Sequence, residues 1–423
     1  MTTQIHPSPT LEQVARTVAH VEGLVVLDLG ARWTLVTWAG GRGLATGPDW
    51  LAQARELIRP QPAEPSLPFS GGLVGWLSYE AGRTVERMPP PRAPAAAPEV
   101  ALWRAEGGLL LDRRAGRWHA HGAPSFVERA HQTLERAALA PSPPLPAPSD
   151  EPWTERPRPQ QQAAYEDSVR AVLGHIRAGD VYQVNISWEE RDLPVADPLG
   201  VWLMLRASNP ARRGGFMRWG DTTLLSNSPE LYLRVRRHRG RLVATSLPIK
   251  GTADARKGPA AADRLEHSEK ERAELTMIVD LVRNDLGRVS SRVRAGPRQI
   301  VRCGDLWHAE QRVSALLRPG RDALDAVAAS FPPGSVTGAP KVEAMRIIHA
   351  LEPGPRGVYT GAMGFFADGG EAHLNVAIRT ATVQGGLARF HVGAGFVADS
   401  APEAEWRETL AKGRALVRGL LAR

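Results

Sequence analysis

The chain has a single cysteine among its 423 residues, Cys303, which excludes an intrachain disulfide and a cysteine-built metal site. It also lacks any uncharged apolar run of about 18 residues, the length that a membrane-spanning helix needs. The opening segment, MTTQIHPSPTLEQVA, has no basic stretch followed by an apolar one, so we expect no secretory signal. These absences favour a reducing, cytoplasmic setting and no membrane association.

Lysine is also rare in this chain. Only five of the 53 basic residues are lysines, namely Lys250, Lys257, Lys270, Lys341 and Lys412. The net charge of +8 would suit an anionic partner, but the arginines are spread along the chain, so we expect solvated arginines and no nucleic-acid binding. Where arginine has nearly displaced lysine, a remaining lysine is expected where a compact, deprotonatable amine is needed.

Two proline-rich stretches organise the chain. The first, 88–100, predicts a surface loop, and the second, 139–159, predicts a linker or a loop that crosses between interleaved parts. We therefore predict an N-terminal region over 1–150 and a catalytic region over 160–423. After the second stretch helical and strand patterns alternate, which indicates an α/β or α+β protein.

Two helical segments carry paired glutamates. Glu271 and Glu274 share the predicted inward face of one helix, and Glu405 and Glu408 share a stripe with Lys412 in the last helix. Buried carboxylates repel one another unless a cation offsets them, and two such pairs suit an oxygen-ligated Mg²⁺. The alternative from spacing alone is exposed glutamates in ordinary helix salt bridges.

Lys250 and Glu230 are candidates for acid–base or nucleophilic chemistry. Lys250 lies in the apolar segment LPIKGT, where loss of water would lower its pKa and make it a usable nucleophile. It could equally be a lysine at a strand end whose amine reaches solvent. Glu230 is an isolated carboxylate before the strand-like LYLRV and suits a general acid, although such a residue is also common in turns.

Three further segments could hold an anion. GSVTGAPK, residues 334–341, is a glycine-rich turn that could wrap an anion with backbone N–H groups or simply precede a helix. VGAGF, residues 392–396, could supply similar donors. Arg379 lies in NVAIRTATV, and an arginine inside an apolar strand implies a partner such as a carboxylate.

In this order, the motifs closely resemble the chorismate-utilising enzyme family, over about residues 165–413. The matching segments are GDVYQVNIS, SPE, PIKGT, ERAELTMIVDLVRNDLGRV, GSVTGAPKVEAMRIIHALE, RGVYTGAMGFF, NVAIRTATV and GAGFVADSAPEAEWRETLAKG. The resemblance implies an anthranilate synthase component I-like fold, with two large, mostly antiparallel sheets in a layered sandwich and helices outside.

The resemblance also implies roles for individual residues. Glu274 and Glu408 would bind Mg²⁺, with Glu271 and Glu405 close by, and Glu230 would be the general acid that helps the 4-hydroxyl of chorismate leave. The active-site loop would contain Thr337. The positions that match contacts to the substrate carboxylates are Tyr359, Arg379, Gly393, Gly395 and Lys412.

Four positions bear on which family member this is. Gln183 replaces a lysine that activates water in the isochorismate-forming members, and an amide cannot act as that base. Lys250 stands where anthranilate synthases usually carry alanine, whereas aminodeoxychorismate synthases carry a lysine proposed to attack the ring. Leu275 replaces a histidine that is frequent in anthranilate synthases, and His308, linked to pyruvate elimination, occurs in both kinds.

We therefore expect aminodeoxychorismate synthase component I, which would use a covalent Lys250 intermediate and serve 4-aminobenzoate and folate synthesis. The alternative is anthranilate synthase component I of tryptophan synthesis. Cys303, in VRCGD, does not fit the Gly-x-Cys-x-Gly elbow of a class I glutaminase, so we expect ammonia to come from a glutamine amidotransferase subunit. A catalytically silent sensor is disfavoured because the glutamates and Lys250 are all present.

Overall fold

The structure is a computed structural model that describes residues 8–40, 44–59, 67–86, 88–90, 92–93 and 95–422. The start of the segment examined for a secretory signal, and two positions of the predicted loop at 88–100, lie outside the described residues. Among the helices that are described, none combines the length and apolar character that a bilayer crossing requires.

The described residues form strands along the whole chain. In order they are β1 (Val25–Leu29), β2 (Trp33–Thr37), β3 (Leu44–Ala45), β4 (Gly72–Leu77), β5 (Val100–Ala105), β6 (Gly107–Asp112), β7 (Arg117–Gly122), β8 (Gln183–Pro194), β9 (Gly215–Trp219), β10 (Thr222–Ser226), β11 (Leu231–His238), β12 (Arg241–Leu247), β13 (Ile249–Asp254), β14 (Ser290–Cys303), β15 (Leu306–Leu317), β16 (Gly338–Ala339), β17 (Ala362–Ala367), β18 (Ala372–Val376), β19 (Thr380–Gln384) and β20 (Leu387–Phe396).

The α-helices lie between these strands and at both ends. They are α1 (Leu11–Thr17), α2 (Trp50–Leu57), α3 (Pro124–Leu139), α4 (Pro159–Ala178), α5 (Pro198–Ser208), α6 (Pro259–His267), α7 (Glu269–Gly287), α8 (Ala323–Ser330), α9 (Lys341–Leu351) and α10 (Pro402–Leu420). Short 3₁₀ turns occur at Tyr79–Thr84, Trp153–Glu155, Ala255–Lys257 and Gly334–Val336.

Two large antiparallel sheets contain these strands. Sheet A has the order β16–β8–β20–β19–β10–β9–β1–β2–β6–β7, and sheet B has the order β13–β15–β12–β11–β18–β17–β4–β5–β3, with β14 also paired to β15. Strands from the first 150 residues and from the rest of the chain lie side by side in both sheets. The predicted fold class is confirmed, while the proposed boundary between 150 and 160 stays a prediction.

The sheets pack face to face, and helices cover their outer faces. Alternation along β1 shows how this arises: Val25 and Leu27 lie in the core between the sheets with Trp76 and Phe365, whereas Val26 points to the helix side. Because both faces of β1 are buried, apolar residues occupy consecutive positions along it, except at Asp28, which is buried in an ion pair with Arg206. Separate cores then join sheet A to α4 and α10, and sheet B to α7 and α8.

The chain crosses from one sheet to the other within NVAIRTATV, so the prediction that Arg379 lies inside a single apolar strand is wrong. Strand β18 belongs to sheet B and β19 to sheet A. Arg379 lies between them with φ +50°, and its carbonyl accepts a hydrogen bond from Asn227 N at 3.0 Å. A non-glycine residue in this conformation is strained, and such residues are concentrated at functional sites.

GSVTGAPK forms a 3₁₀ turn and the short strand β16 before α9 begins. Its lysine is a structural residue, because Lys341 is buried and its Nζ donates to Asp285 Oδ2 at 2.6 Å and to Ser330 O at 2.7 Å. The ion pair joins α9 to α7. It therefore sets where the glutamates of α7 lie relative to the loop and to β8.

Lys341→Met should lower the free energy of unfolding by about 3–5 kcal/mol, because it leaves Asp285 buried without its cation. The double variant Lys341→Met/Asp285→Leu should recover most of that loss, since an apolar pair of similar size removes both charges. Denaturant unfolding of both variants measures the effect. A loss below about 1 kcal/mol in Lys341→Met would contradict this role.

Candidate active site

Two glycines of β20 make space for polar groups that converge from both sheets. A Cβ placed on Gly395 would lie 2.8 Å from Gln183 Nε2 and 3.1 Å from Lys250 Nζ. A Cβ on Gly393 would lie 2.9 Å from Tyr359 Oη. Any larger side chain would therefore displace these groups. The amide, amine and hydroxyl meet over a stretch of bare backbone, which suits the binding of a small polar substrate.

The predicted glutamates of α7 and α10 lie close to this region around Gly393 and Gly395, which we call the cleft, since the charges of Glu274 and Glu408 both act on Lys250. Burial raises the pKa of Glu271, and Glu274 and Glu408 raise it further. Burial also raises the pKa of Glu405, with Glu408 adding to the effect. Glu408 is the exception, because the charge of Lys412, whose Nζ lies 2.7 Å from Glu408 Oε1, lowers its pKa although burial opposes that shift. Four carboxylates thus share one region without full charge compensation.

The lysines supply the partial compensation. Burial lowers the pKa of Lys250, and the charge of Glu274 opposes that shift. Lys412 pairs with Glu408 and also donates to Gly393 O at 3.2 Å, so its amine lies at the glycine strand. The cleft therefore alternates positive and negative groups, an arrangement that can accept a dianionic substrate together with a divalent cation.

The donor chemistry fits magnesium better than a softer metal. Within the described residues, no group of three or more histidine, cysteine, aspartate or glutamate side chains is already arranged around one point. Mg²⁺ does not require such a group, since it commonly takes one or two carboxylates and completes its shell with water and substrate oxygens. Glu274 and Glu408, from different helices, fit that use.

Glu230 is a buried carboxyl beside the lysine. Burial raises its pKa to about 7, while the hydrogen bond from Ser335 Oγ to Oε1 at 2.5 Å and the charge of Lys250 hold it down. A carboxyl with this pKa is partly protonated at neutral pH and can give up its proton to a leaving group.

His308 is neutral and holds Arg379. The guanidinium of Arg379 lies 3.3 Å from His308 Nε2, and because a guanidinium only donates, Nε2 accepts and the proton is on Nδ1. Nδ1 lies 3.2 Å from Thr252 Oγ1. Burial, and then the charge of Arg379, lower the histidine pKa to about 3. His308 therefore orients Arg379 rather than carrying a positive charge.

Thr337 ties the loop to sheet A. Its Oγ1 donates to Pro333 O at 2.8 Å, and its carbonyl accepts from Asn185 N at 2.9 Å. The next residue, Gly338, pairs with Val184 in β8, so the loop lies directly beside the strand that carries Gln183.

Two residues of the cleft escaped the sequence reasoning. Ser335 binds Glu230, and Thr252 binds His308, although both lie in motifs that we had singled out. Neither has a spacing that shows its partner, because those partners are 105 and 56 residues away along the chain.

Comparison of the sequence and fold with known proteins identifies the family of this chain. Residues 29–418 match a family described as chorismate binding enzyme. The chain belongs to that family. It is 37% identical over 402 residues to anthranilate synthase component 1 of Streptomyces coelicolor, covering 88% of this chain and 77% of that one. It is 34% identical over 412 residues to anthranilate synthase component 1 of Thermus thermophilus, covering 93% and 88%.

A solved structure with a name of the same kind is also similar to this chain. Anthranilate synthase component I from Streptococcus pneumoniae superposes with a TM-score of 0.78 and 28% identity, covering 92% of each chain. The expectation of aminodeoxychorismate synthase component I is therefore wrong, and so are the covalent Lys250 intermediate and the assignment to 4-aminobenzoate and folate synthesis. The presence of Lys250 does not by itself indicate a nucleophile, because its amine can also balance the charge of Glu274.

Ser335→Ala should move the alkaline limb of the pH profile for chorismate turnover to higher pH. The lost hydrogen bond stabilised the carboxylate form, so the pKa of Glu230 rises further and the acid keeps its proton longer. The measurement is kcat/KM for chorismate from about pH 5.5 to 9.5 at constant free ammonia. Ser335→Thr keeps the hydroxyl and serves as control, and an unshifted limb in Ser335→Ala would contradict the role of Glu230.

Proposed function

We propose that this chain is the chorismate-aminating component of an anthranilate synthase. The reaction combines chorismate with ammonia to give anthranilate, pyruvate and water. The identity of 34–37% with anthranilate synthase components over most of the chain carries the proposal. The cleft supports it, because it offers cations for carboxylates, an acid for a leaving hydroxyl and carboxylates for a divalent metal.

Different polar groups of the cleft would bind the two carboxylates of chorismate. Lys412, Tyr359 and the backbone of β20 would bind one carboxylate at Gly393, where no side chain intervenes, and Arg379, fixed by His308, would bind the other. Arginine suits this task because its N–H groups match the two oxygens of a carboxylate. Since one carboxylate is on the ring and one on the enolpyruvyl group, two separated cations fix the orientation of the ring.

Glu230 would act at the other end of the ring. In anthranilate the nitrogen is next to the ring carboxylate, so ammonia adds at C2 while the hydroxyl leaves from C4 through the conjugated double bonds. A hydroxyl leaves readily only when it gains a proton, and Glu230, with a pKa near 7, holds one at neutral pH for part of the time. Elimination of pyruvate then makes the ring aromatic.

Glu274 and Glu408 would hold Mg²⁺, with Glu271 and Glu405 close enough to bind its water ligands. The metal would supply positive charge for the ring carboxylate of chorismate. The raised pKa values of Glu271 and Glu405 support this assignment, because burial and neighbouring carboxylates make their charged forms unfavourable, and a cation would offset that cost.

Ammonia would come from a separate glutamine amidotransferase subunit. Cys303 is buried, and its Sγ lies 3.6 Å from Pro210 O, so it is not presented as a glutaminase nucleophile. Free ammonium at high concentration would replace the partner in a test of this chain alone.

The product formed from chorismate, ammonium and Mg²⁺ tests the proposal. We expect fluorescent anthranilate and one equivalent of pyruvate, with activity lost in EDTA and restored by Mg²⁺. Glu230→Gln, which cannot donate a proton in the same way, should lower kcat by about 10²–10⁴. An aminated product that keeps its enolpyruvyl group, with no pyruvate released, would overturn the proposal.

A further inference from the structure

Tyr359 lies against a histidine that neither the motifs nor the reaction scheme has used. The rings of Tyr359 and His391 are stacked, with centroids 5.3 Å apart and planes inclined by 13°. His391 precedes Gly393 by two residues on β20, so both face the same side of sheet A. The histidine therefore packs on the ring whose hydroxyl lies over Gly393.

The histidine is itself held by a buried hydrogen-bond network. Its Nδ1 lies 3.4 Å from Ser187 Oγ, and Ser187 donates from N and Oγ to Glu352 Oε1 at 2.8 and 3.0 Å. Glu352 in turn makes two hydrogen bonds with Arg356, at 2.7 and 2.9 Å. Since the Ser187 hydroxyl hydrogen goes to Glu352, Ser187 Oγ is free to accept from Nδ1 of His391.

The histidine ring carries no charge in this setting. Burial lowers its pKa to about 3, and Arg356, Arg191 and Arg389 lower it as well. The acidic group that faces it is Glu189, whose Oε1 is 3.9 Å from Nε2. A neutral ring contributes packing and one hydrogen bond, so its effect would not change across the pH range in which enzymes are assayed.

Open space beside Tyr359 makes this packing consequential. A cavity of about 730 Å³ is lined by Tyr359, His391, Ser187, Glu352 and Thr380, among others. Without the histidine ring, Tyr359 would have room to rotate away from Gly393 into that cavity. The ring of His391 therefore keeps the ring of Tyr359 in the cleft.

We propose that His391 is a positioning residue whose ring holds the Tyr359 hydroxyl at the carboxylate-binding surface of Gly393. The inference rests on the proposed function for the identity of the carboxylate, since chorismate carries it. It adds a residue that binds no substrate atom and acts through Tyr359 alone.

Three substitutions of His391 distinguish the contribution of its ring from that of its hydrogen bond. His391→Ala removes both, His391→Gln keeps a side-chain donor, and His391→Phe keeps an aromatic ring. We expect the KM for chorismate to rise about three- to ten-fold in His391→Ala and His391→Gln, with kcat changed less than two-fold, and to stay near wild type in His391→Phe. In a Tyr359→Phe background, His391→Ala should raise KM no further.

The matched control is His119→Ala. His119 contacts Trp33 with centroids 5.6 Å apart, far from the cleft in the same sheet, so its loss should leave KM unchanged. Unchanged KM in His391→Ala, or an equal rise in His391→Phe, would overturn the proposal. If His391→Ala does not fold, the KM values of His391→Gln and His391→Phe test the proposal, which requires a higher KM in His391→Gln than in His391→Phe. Rates follow the loss of chorismate, so the test stands whichever product forms, and wild type forming no anthranilate would count against the proposed function only.

Discussion

The site depends on close approach to a strand that has no side chains at two positions. Gly393 and Gly395 let the hydroxyl of Tyr359, the amide of Gln183 and the amine of Lys250 lie almost on the backbone of β20. The two groups at Gly395 come from opposite sheets, so the glycines also fix how the sheets meet at this end. A methyl group at either position would force these groups out, which makes the geometry of β20 a condition for all other contacts in the cleft.

Charge balance is the second constraint. Desolvated carboxylates on α7 and α10 are unfavourable unless cations offset them, and the amines of Lys250 and Lys412 do so only in part. In a chain that otherwise uses arginine, two of the five lysines lie here, among carboxylates, where a compact ammonium is suited to balance charge. The remaining negative charge on Glu271 and Glu405 is what a divalent cation would neutralise.

Local sequence patterns predicted the helices that carry the glutamates and the layered fold. The apolar period located α7 and α10, and the motif set led to the layered fold. Contacts between distant segments were beyond such patterns: the sheet crossover at Arg379, the bond from Ser335 to Glu230 and the stack of His391 on Tyr359 all depend on tertiary packing. The prediction of aminodeoxychorismate synthase failed for a related reason. The residue type of Lys250 alone does not distinguish a nucleophile from a charge that balances its neighbours.

A crystal structure with chorismate and Mn²⁺, using Glu230→Gln to slow turnover, tests the central claim most directly. We expect anomalous density for the metal at Glu274 and Glu408, with a substrate carboxylate at Gly393 within reach of Lys412 and Tyr359. For that, the Lys412 amine must move from Glu408 to the substrate, giving up the present separation of 2.7 Å. An intact Lys412–Glu408 pair, with metal and chorismate bound elsewhere, would contradict it.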